Sequence, residues 1–373
     1  MKYSESKDVM TPSGNRGPKT INIVLFGIGN VGGTLIKQIE EAQPRFLAKG
    51  LQIHIPVIAN SNTAFFAKPN AEKGWEAGFK SFGFPQFIQD IFKFVKENEL
   101  KNLIAVDATA SADLVGEYFS LIENGFHIVS ANKIANTLDV AFYTKLRDTL
   151  KKHHRRFLYE TNVGAGLPVI ETIKNLHDSG ERITRIRGVF SGSLSYIFNR
   201  FSAEEKSFAD ILKEASENGY TEPDAREDLS GNDVARKLLI LARELDLKRE
   251  FEDVKVDSLI PTQLNGKTSV NEFKRRIDEL NPTFENKKNQ QAKGHVLRYV
   301  GELSVTEERL DVKLVSTPAD SPLGQLKGAD SLIEIYSDSY KKQPLVIQGA
   351  GAGKEVTARG VLGDIVKLAE NLI

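Results

Sequence analysis

The chain has 373 residues, 40% of them apolar, no cysteine, and 50 basic against 50 acidic residues, so its net charge is zero. This length suits two or three domains, and the neutral balance gives no electrostatic ground for a nucleic-acid or anionic-membrane partner. The missing cysteine excludes disulfides, iron–sulfur clusters, zinc–cysteine sites and a cysteine nucleophile.

No apolar run approaches the ~20 residues of a membrane span. The N-terminus lacks the apolar core of a signal peptide, so the cytoplasm is the simplest compartment. Residues 1–19 are polar, carry Pro12, Gly14, Gly17 and Pro18, and read as a flexible leader. Residues 21–26 form an apolar β-rich run closed by Gly27, and 31–39 turn helical. Residues 51–58 read as a second strand, stopped by Asn60-Ser61-Asn62. Residues 60–86, which include Trp75, resist assignment. A helix over 87–97, a strand over 103–106, a helix over 113–124 closed by Gly125, and a strand over 127–130 come next. A helix over 139–152 continues the alternation, which predicts a parallel, doubly wound sheet. The basic run Lys151–Arg156 lies between a helix and a strand and reads as an exposed turn.

The style changes after residue 157. A strand over 157–160 is broken by Gly164-Ala165-Gly166, and Pro168 suits the first turn of a helix with Val169, Ile170, Ile173 and Leu176 on one side. A strand over 183–190 is interrupted by Ser191-Gly192-Ser193. Helices are predicted over 207–218 and 230–245, and strands near 296–304, 311–316, 332–336 and 344–347. The chain closes with a glycine–alanine run at 349–353 and a helix to about residue 372.

Gly27-Ile28-Gly29-Asn30-Val31-Gly32 fits G-x-G-x-x-G between a strand and a helix, the context that gives this motif its meaning. Gly27 permits the tight turn, Gly29 lets a pyrophosphate approach the backbone, and Gly32 lets helix and strand pack closely. The helix N-terminus adds free N–H groups and partial positive charge. A dinucleotide fold that prefers NAD often ends its second strand with an acid for the ribose hydroxyls. Residues 58–62 carry none, and no arginine either. The reading leans to NADP, with NAD open.

The segment 219–233 carries a cluster of acids before a helix. Such a loop suits a cationic group such as a substrate amine, and equally a solvated acidic surface. Ser230 and Asp233 fit an S-x-x-D capping box. Asp233 and Lys237 are an i, i+4 pair on the flank of the apolar stripe Val234, Leu238, Leu241, Leu245. On a surface that pair is worth ~0.3–0.5 kcal/mol; at a cleft the lysine could protonate an alkoxide. Spacing alone leaves both open.

These residues resemble the homoserine dehydrogenase family. The similarity lies in GYTEPDAREDLSGNDVARKLLILARE at 219–244, FLYETNVGAGLPVIETIKNL at 157–176, SGSLSYIFNRF at 191–201, SANK at 130–133, VIQGAGAGKEVTARGVLGD at 346–364, and the first glycine loop. It covers about residues 20–373 and looks most like the dehydrogenase half of bifunctional aspartokinase–homoserine dehydrogenases, without a kinase segment.

The resemblance implies an α/β fold: a Rossmann-like doubly wound sheet and a second α+β domain for substrate binding and dimerisation. The nucleotide domain would be discontinuous, from 20–160 and 340–373, with 161–339 as the second domain. The implied reaction is reversible NAD(P)H-dependent reduction of L-aspartate 4-semialdehyde to L-homoserine, in threonine, methionine and isoleucine biosynthesis. Lys237 matches the family's proton donor, and Lys133 a second active-site lysine near cofactor and substrate. Asp233 would orient the lysine or the substrate, and Glu222, Asp228 and Asp233 would bind substrate. Cofactor contacts would be Gly27, Ile28, Gly29, Asn30, Val31, Gly32, Ala59, Thr109, Lys133, Gly219 and Gly353. Oxygens of Glu160, Val163, Ala165 and Leu167 would hold a monovalent cation, sodium or potassium; a plain glycine turn is the alternative. A homodimer acting on a small-molecule substrate is expected. Ile134 replaces the second lysine that many members carry after SANK. The final helix leaves no regulatory domain, so threonine feedback through one is not expected.

The absent cysteine suits aldehyde-to-alcohol reduction and argues against aspartate-semialdehyde dehydrogenase, which needs a thiol. A silent dinucleotide-binding sensor and a scaffolding module are the competing readings. Both lysines and both acids speak against the sensor, and the scaffold would have no cofactor affinity.

Overall fold

The apolar run at the start of the chain forms β1 (Lys19–Phe26), whose last six residues are all buried. In a parallel strand buried on both faces, a continuous apolar run is what packing demands. β1 pairs in parallel with β2 (Leu51–Ala59) and β5 (Leu103–Asp107). β5 continues in parallel to β6 (His127–Ser130), and β6 to the two-residue β7 (Phe157–Leu158). On the other side, β3 (Thr63–Phe66) adds antiparallel to β2, and β4 (Phe84–Pro85) to β3. The order is β4-β3-β2-β1-β5-β6-β7. The chain order reverses between β1 and β5, and in an open α/β sheet such a switch point leaves a crevice at the strands' carboxyl ends.

The computed structural model describes residues 17–67, 84–85, 88–266 and 268–371. The leader up to residue 16, Trp75 and most of the unassigned 60–86 stretch lie outside them.

A second sheet has the order β13-β12-β8-β10-β11-β9. Its strands are β8 (Ile183–Val189), β9 (Val254–Val256), β10 (His295–Ser304), β11 (Arg309–Pro318), β12 (Asp330–Ser337) and β13 (Leu345–Ala350). All its pairings are antiparallel except β9 with β11. The helices Gly192–Ala203 and Asn232–Glu244 pack against it with buried apolar faces.

The terminal helix Lys354–Asn371 returns to the first sheet. Ala358, Val361, Leu362, Ile365 and Leu368 share one core with Ile21, Ile23 and Leu25 of β1 and with Leu35, Ile36 and Ile39 of the helix Asn30–Ala48. β13 pairs with β12 in the second sheet, just ahead of the terminal helix. No helix among the described residues is long and apolar enough to cross a membrane.

Several element boundaries differ from the sequence reading. The helix expected over 113–124 divides into Ala112–Gly116 and Tyr118–Glu123 at Glu117. The strand expected over 157–160 gives way to a 3-10 turn at Glu160–Asn162. Ser191-Gly192-Ser193 opens a helix rather than interrupting a strand, because Ser191 Oγ accepts from Leu194 N and caps it. The capping box of Ser230 and Asp233 does not form. Gly231 occupies the N-cap in a left-handed conformation, and Ser230 Oγ donates to Glu227 O instead. Asp233 is thereby released to face Lys237.

Candidate active site

The glycine loop sits at the switch point. Gly27 turns with φ +95°, and a Cβ there would lie 2.8 Å from Ala108 O. A Cβ on Gly32 would drive into Gly27 O. A Cβ on Gly29 would meet no other residue within 4 Å beyond its chain neighbours and its own helix. The first two glycines are therefore demanded by the protein's own packing, and the third faces open space. Gly29 is also the N-cap of the helix Asn30–Ala48, with no side-chain cap and no acid in the first turn. Its N-terminal N–H groups, with Ile28, Asn30 and Val31 around them, suit an anion. Gly27 N donates to Ala59 O at 2.8 Å, which places Ala59 beside the loop. Asn60, next along, accepts from Asn62 N and Thr63 N in a turn without a carboxylate.

A buried polar network joins this loop to the SANK segment. Asp107 Oδ1 accepts from Thr109 N and Oγ1 at 2.8 and 2.7 Å. Its Oδ2 accepts from Tyr118 Oη at 2.7 Å and Asn132 Nδ2 at 3.0 Å. Burial raises the Asp107 carboxyl above its usual range, against these hydrogen bonds, which lower it. Thr109 and Asn132, the residue before Lys133, thus hang on one carboxylate. The sequence reading missed Asp107; its signal is an acid ending the apolar run 103–106 and followed by Thr109 and Ser111.

Lys133 stands where the SANK loop turns into the short helix Ile134–Thr137. Its Nζ lies 3.6 Å from Asp233 Oδ1. Lys237 is buried, and its Nζ lies 2.7 Å from Asp233 Oδ2 and donates to Phe190 O at 2.7 Å. An ammonium has three donors, so Lys237 keeps one N–H beyond these two partners. The Phe190 carbonyl is a backbone group, which no residue pattern reveals. Burial works to raise Asp233, but the charges of Lys237 and Lys133 prevail and hold its carboxyl well below the usual carboxylate range. Lys133 is lowered by burial and by the charge of Lys237, with Asp233 pulling the other way.

Asp228 accepts from Ser193 Oγ at 2.6 Å and from Glu222 N at 2.9 Å, so it ties the acidic loop to the helix Gly192–Ala203. Burial raises Asp228. Glu222 is raised by burial and by the charges of Asp228, Glu227 and Asp233, while Lys133 counteracts. These mutual effects place Glu222, Asp228, Asp233 and Lys133 in one field. Gly219 ends the helix Phe208–Glu217 with φ +73°, its N–H donating to Ser216 O. Gly353 precedes the terminal helix, and its carbonyl accepts from Thr357 N and Oγ1.

The proposed cation loop folds as a tight turn, with Gly164 at φ +82° and Ala165 at +52°. The Glu160 carboxylate accepts from Ile170 N at 2.7 Å and Glu171 N at 2.9 Å, capping the helix Val169–Asp178. Burial raises Glu160 to about 7, with the neighbouring charge of Asp364 adding to it. The Leu167 carbonyl is taken by Val169 N, whereas no donor among the described residues reaches the buried carbonyls of Val163 and Ala165. Unclaimed carbonyls beside a buried carboxylate are the donor set that a cation with oxygen ligands would need. Among the described residues, no three His, Cys, Asp or Glu side chains form a metal cluster.

Comparison with known proteins gives matches over nearly the whole chain. A family model described as homoserine dehydrogenase matches residues 168–366, and one described as its NAD binding domain matches 27–160. The chloroplastic bifunctional aspartokinase/homoserine dehydrogenase 1 of Arabidopsis thaliana is 38% identical over 355 residues, 94% of this chain and 39% of that protein. The chain thus spans about two fifths of that relative's length. A Candida auris protein of unknown function has a solved structure with TM-score 0.86 and 31% identity, covering 94% of this chain and 98% of that one. A hyperthermophilic archaeal homoserine dehydrogenase, solved in complex with NADPH, shares the fold with TM-score 0.71 at 22% identity, over 95% of this chain and 98% of its own.

Proposed function

The chain belongs to the homoserine dehydrogenase family, and from that premise we propose that it interconverts L-aspartate 4-semialdehyde and L-homoserine with a nicotinamide coenzyme. The observation that carries this reading is the meeting of Lys133 and Lys237 on Asp233, joined through Asp107 to the Thr109 loop beside the glycines.

When bound, the coenzyme supplies the hydride that the aldehyde carbon accepts. The residues of this chain handle the charge that then grows on the aldehyde oxygen. Lys237, with two of its donors committed to Asp233 and Phe190 O, directs its remaining N–H to that oxygen and gives it a proton. Lys133 adds positive potential, which a partly buried setting amplifies. Asp233 orients both ammonium groups. Glu222 holds the substrate amine, and Asp228 shapes the loop that presents Glu222. Read in reverse, Lys237 takes the hydroxyl proton while hydride leaves the carbon.

The glycine loop 27–32, Ala59, Thr109, Lys133, Gly219 and Gly353 are assigned to coenzyme binding. NADP is favoured over NAD because no acid follows β2 to repel a 2′-phosphate, and the archaeal homologue is solved with NADPH. Glu160, Val163, Ala165 and Leu167 are assigned to a monovalent cation. The first sheet with the terminal helix forms the nucleotide unit, and the second sheet forms the substrate unit and the face of a homodimer. The edge strand β13, with Val346 exposed, favours such pairing. The testing experiment is absorbance at 340 nm with L-homoserine and NADP or NAD.

A further inference from the structure

Lys133 and Lys237 come from different parts of the molecule. Lys133 follows β6 of the first sheet, and Lys237 rides the helix Asn232–Glu244 that packs on the second. Their spacing depends on what holds the segment after Lys133 against that helix.

Arg243 occupies this junction, six residues beyond Lys237 on the same helix. Its side chain is only 2% exposed. Nη1 donates to Asn136 O at 2.9 Å and to Leu138 O at 2.7 Å. Nε and Nη2 donate to Arg249 O at 3.2 and 2.8 Å. Glu250 lies 3.4 Å from Nη2, and its two carboxylate oxygens accept from Val140 N at 2.9 and 3.1 Å. One guanidinium and one carboxylate therefore seize the backbone at Asn136, Leu138 and Val140, immediately after Lys133. Burial lowers the guanidinium's affinity for its proton, and Glu250 opposes this. A buried charge that spends its donors on loop carbonyls costs more than an apolar side chain of the same size. The gain is in geometry: a planar fork fixes several acceptors at once, which a lysine cannot reproduce.

We propose that Arg243 is a positioning residue: with Glu250 it clamps the segment 136–140 to the helix of Lys237 and so sets Lys133 against Asp233. The proposal rests on the reading of Lys133 as part of the reducing site. A misplacement of about 1 Å can cost on the order of 100-fold in rate. Arg243→Lys should therefore lower kcat on the order of 10- to 100-fold, with the fold intact by circular dichroism.

The decisive measurement is a double-mutant cycle in the whole chain with Lys133→Ala. If Arg243 acts through Lys133, Arg243→Lys lowers kcat in the wild-type background and adds no further loss once Lys133 is gone. Equal losses in both backgrounds, or wild-type kcat in Arg243→Lys, overturn the clamp. Wild-type kcat in Lys133→Ala would remove the lysine's role and the clamp with it, so the two failures are told apart. Glu250→Ala, at the more exposed end, repeats the test if the buried substitution unfolds the chain. A kcat loss that vanishes without Lys133 supports the clamp, and unchanged kcat overturns it.

Discussion

Asp233 Oδ2 sits 2.7 Å from Lys237 Nζ, one helical turn away, while its other oxygen lies 3.6 Å from Lys133 Nζ. The i, i+4 spacing that sequence leaves ambiguous is thus not a solvated surface pair. The carboxylate serves two ammonium groups, one of them buried. Asp233→Asn removes the only charge within salt-bridge distance of both lysines among the described residues. It should lower kcat on the order of 100-fold, with folding intact by circular dichroism. Unaltered kcat would show that the carboxylate is not part of the reducing machinery.

The glycine loop separates a packing demand from a ligand demand. A Cβ on Gly32 collides with Gly27 O, so Gly32→Ala should destabilise the fold by about 1–3 kcal/mol. A Cβ on Gly29 meets no other residue within 4 Å beyond its chain neighbours and its own helix. Gly29→Ala should therefore keep the melting temperature and weaken coenzyme binding, measured by fluorescence titration. Full coenzyme affinity in Gly29→Ala would place the pyrophosphate elsewhere.

His127 makes the fold acid-sensitive. Burial, then the charges of Arg155 and Arg156, lower its pKa from 6.5 to about 4, and its Nδ1 accepts from Arg156 N at 3.0 Å. The unfolded chain binds this proton below pH 6.5 and the folded chain does not until about pH 4. Stability is therefore lost as pH falls through that window, by about 3 kcal/mol in full. His127→Asn cannot titrate, so the gap between its urea midpoint and that of the wild type should close on going from pH 7 to pH 4.5. Parallel pH profiles for the two proteins would contradict the assignment.

The cation assignment predicts a response to salt identity. At fixed ionic strength, sodium or potassium chloride should raise the melting temperature above that in tetramethylammonium chloride, because a ligand of the folded state stabilises it. Glu160→Ala should erase the difference. Identical melting in all three salts for the wild type would leave the turn at Gly164 as plain structure.

Much of this was readable from residues because it follows from periodicity or from backbone demands. The apolar run at 21–26 must be buried on both faces, and Gly27 and Gly32 are required by close approach, so strand, loop and helix were visible together. The split at Glu117 and the 3-10 turn after Leu158 were not, since both depend on tertiary packing that overrides local pattern. The failed capping box shows the same limit: a left-handed Gly231 takes the N-cap and sends Asp233 to Lys237 instead. The partner carbonyl of Phe190, the buried Asp107 network and the grip of Arg243 on Asn136 and Leu138 join residues far apart in the chain. No spacing rule reaches them.

The most direct test of the central claim is absorbance at 340 nm with the purified chain, L-homoserine and NADP or NAD in parallel. Reduced coenzyme should form in step with substrate consumed, faster with NADP, and the rate should fall on the order of 100-fold or more in Lys237→Ala. Coenzyme binding without any turnover by the wild-type chain, or full turnover by a folded Lys237→Ala, would contradict it.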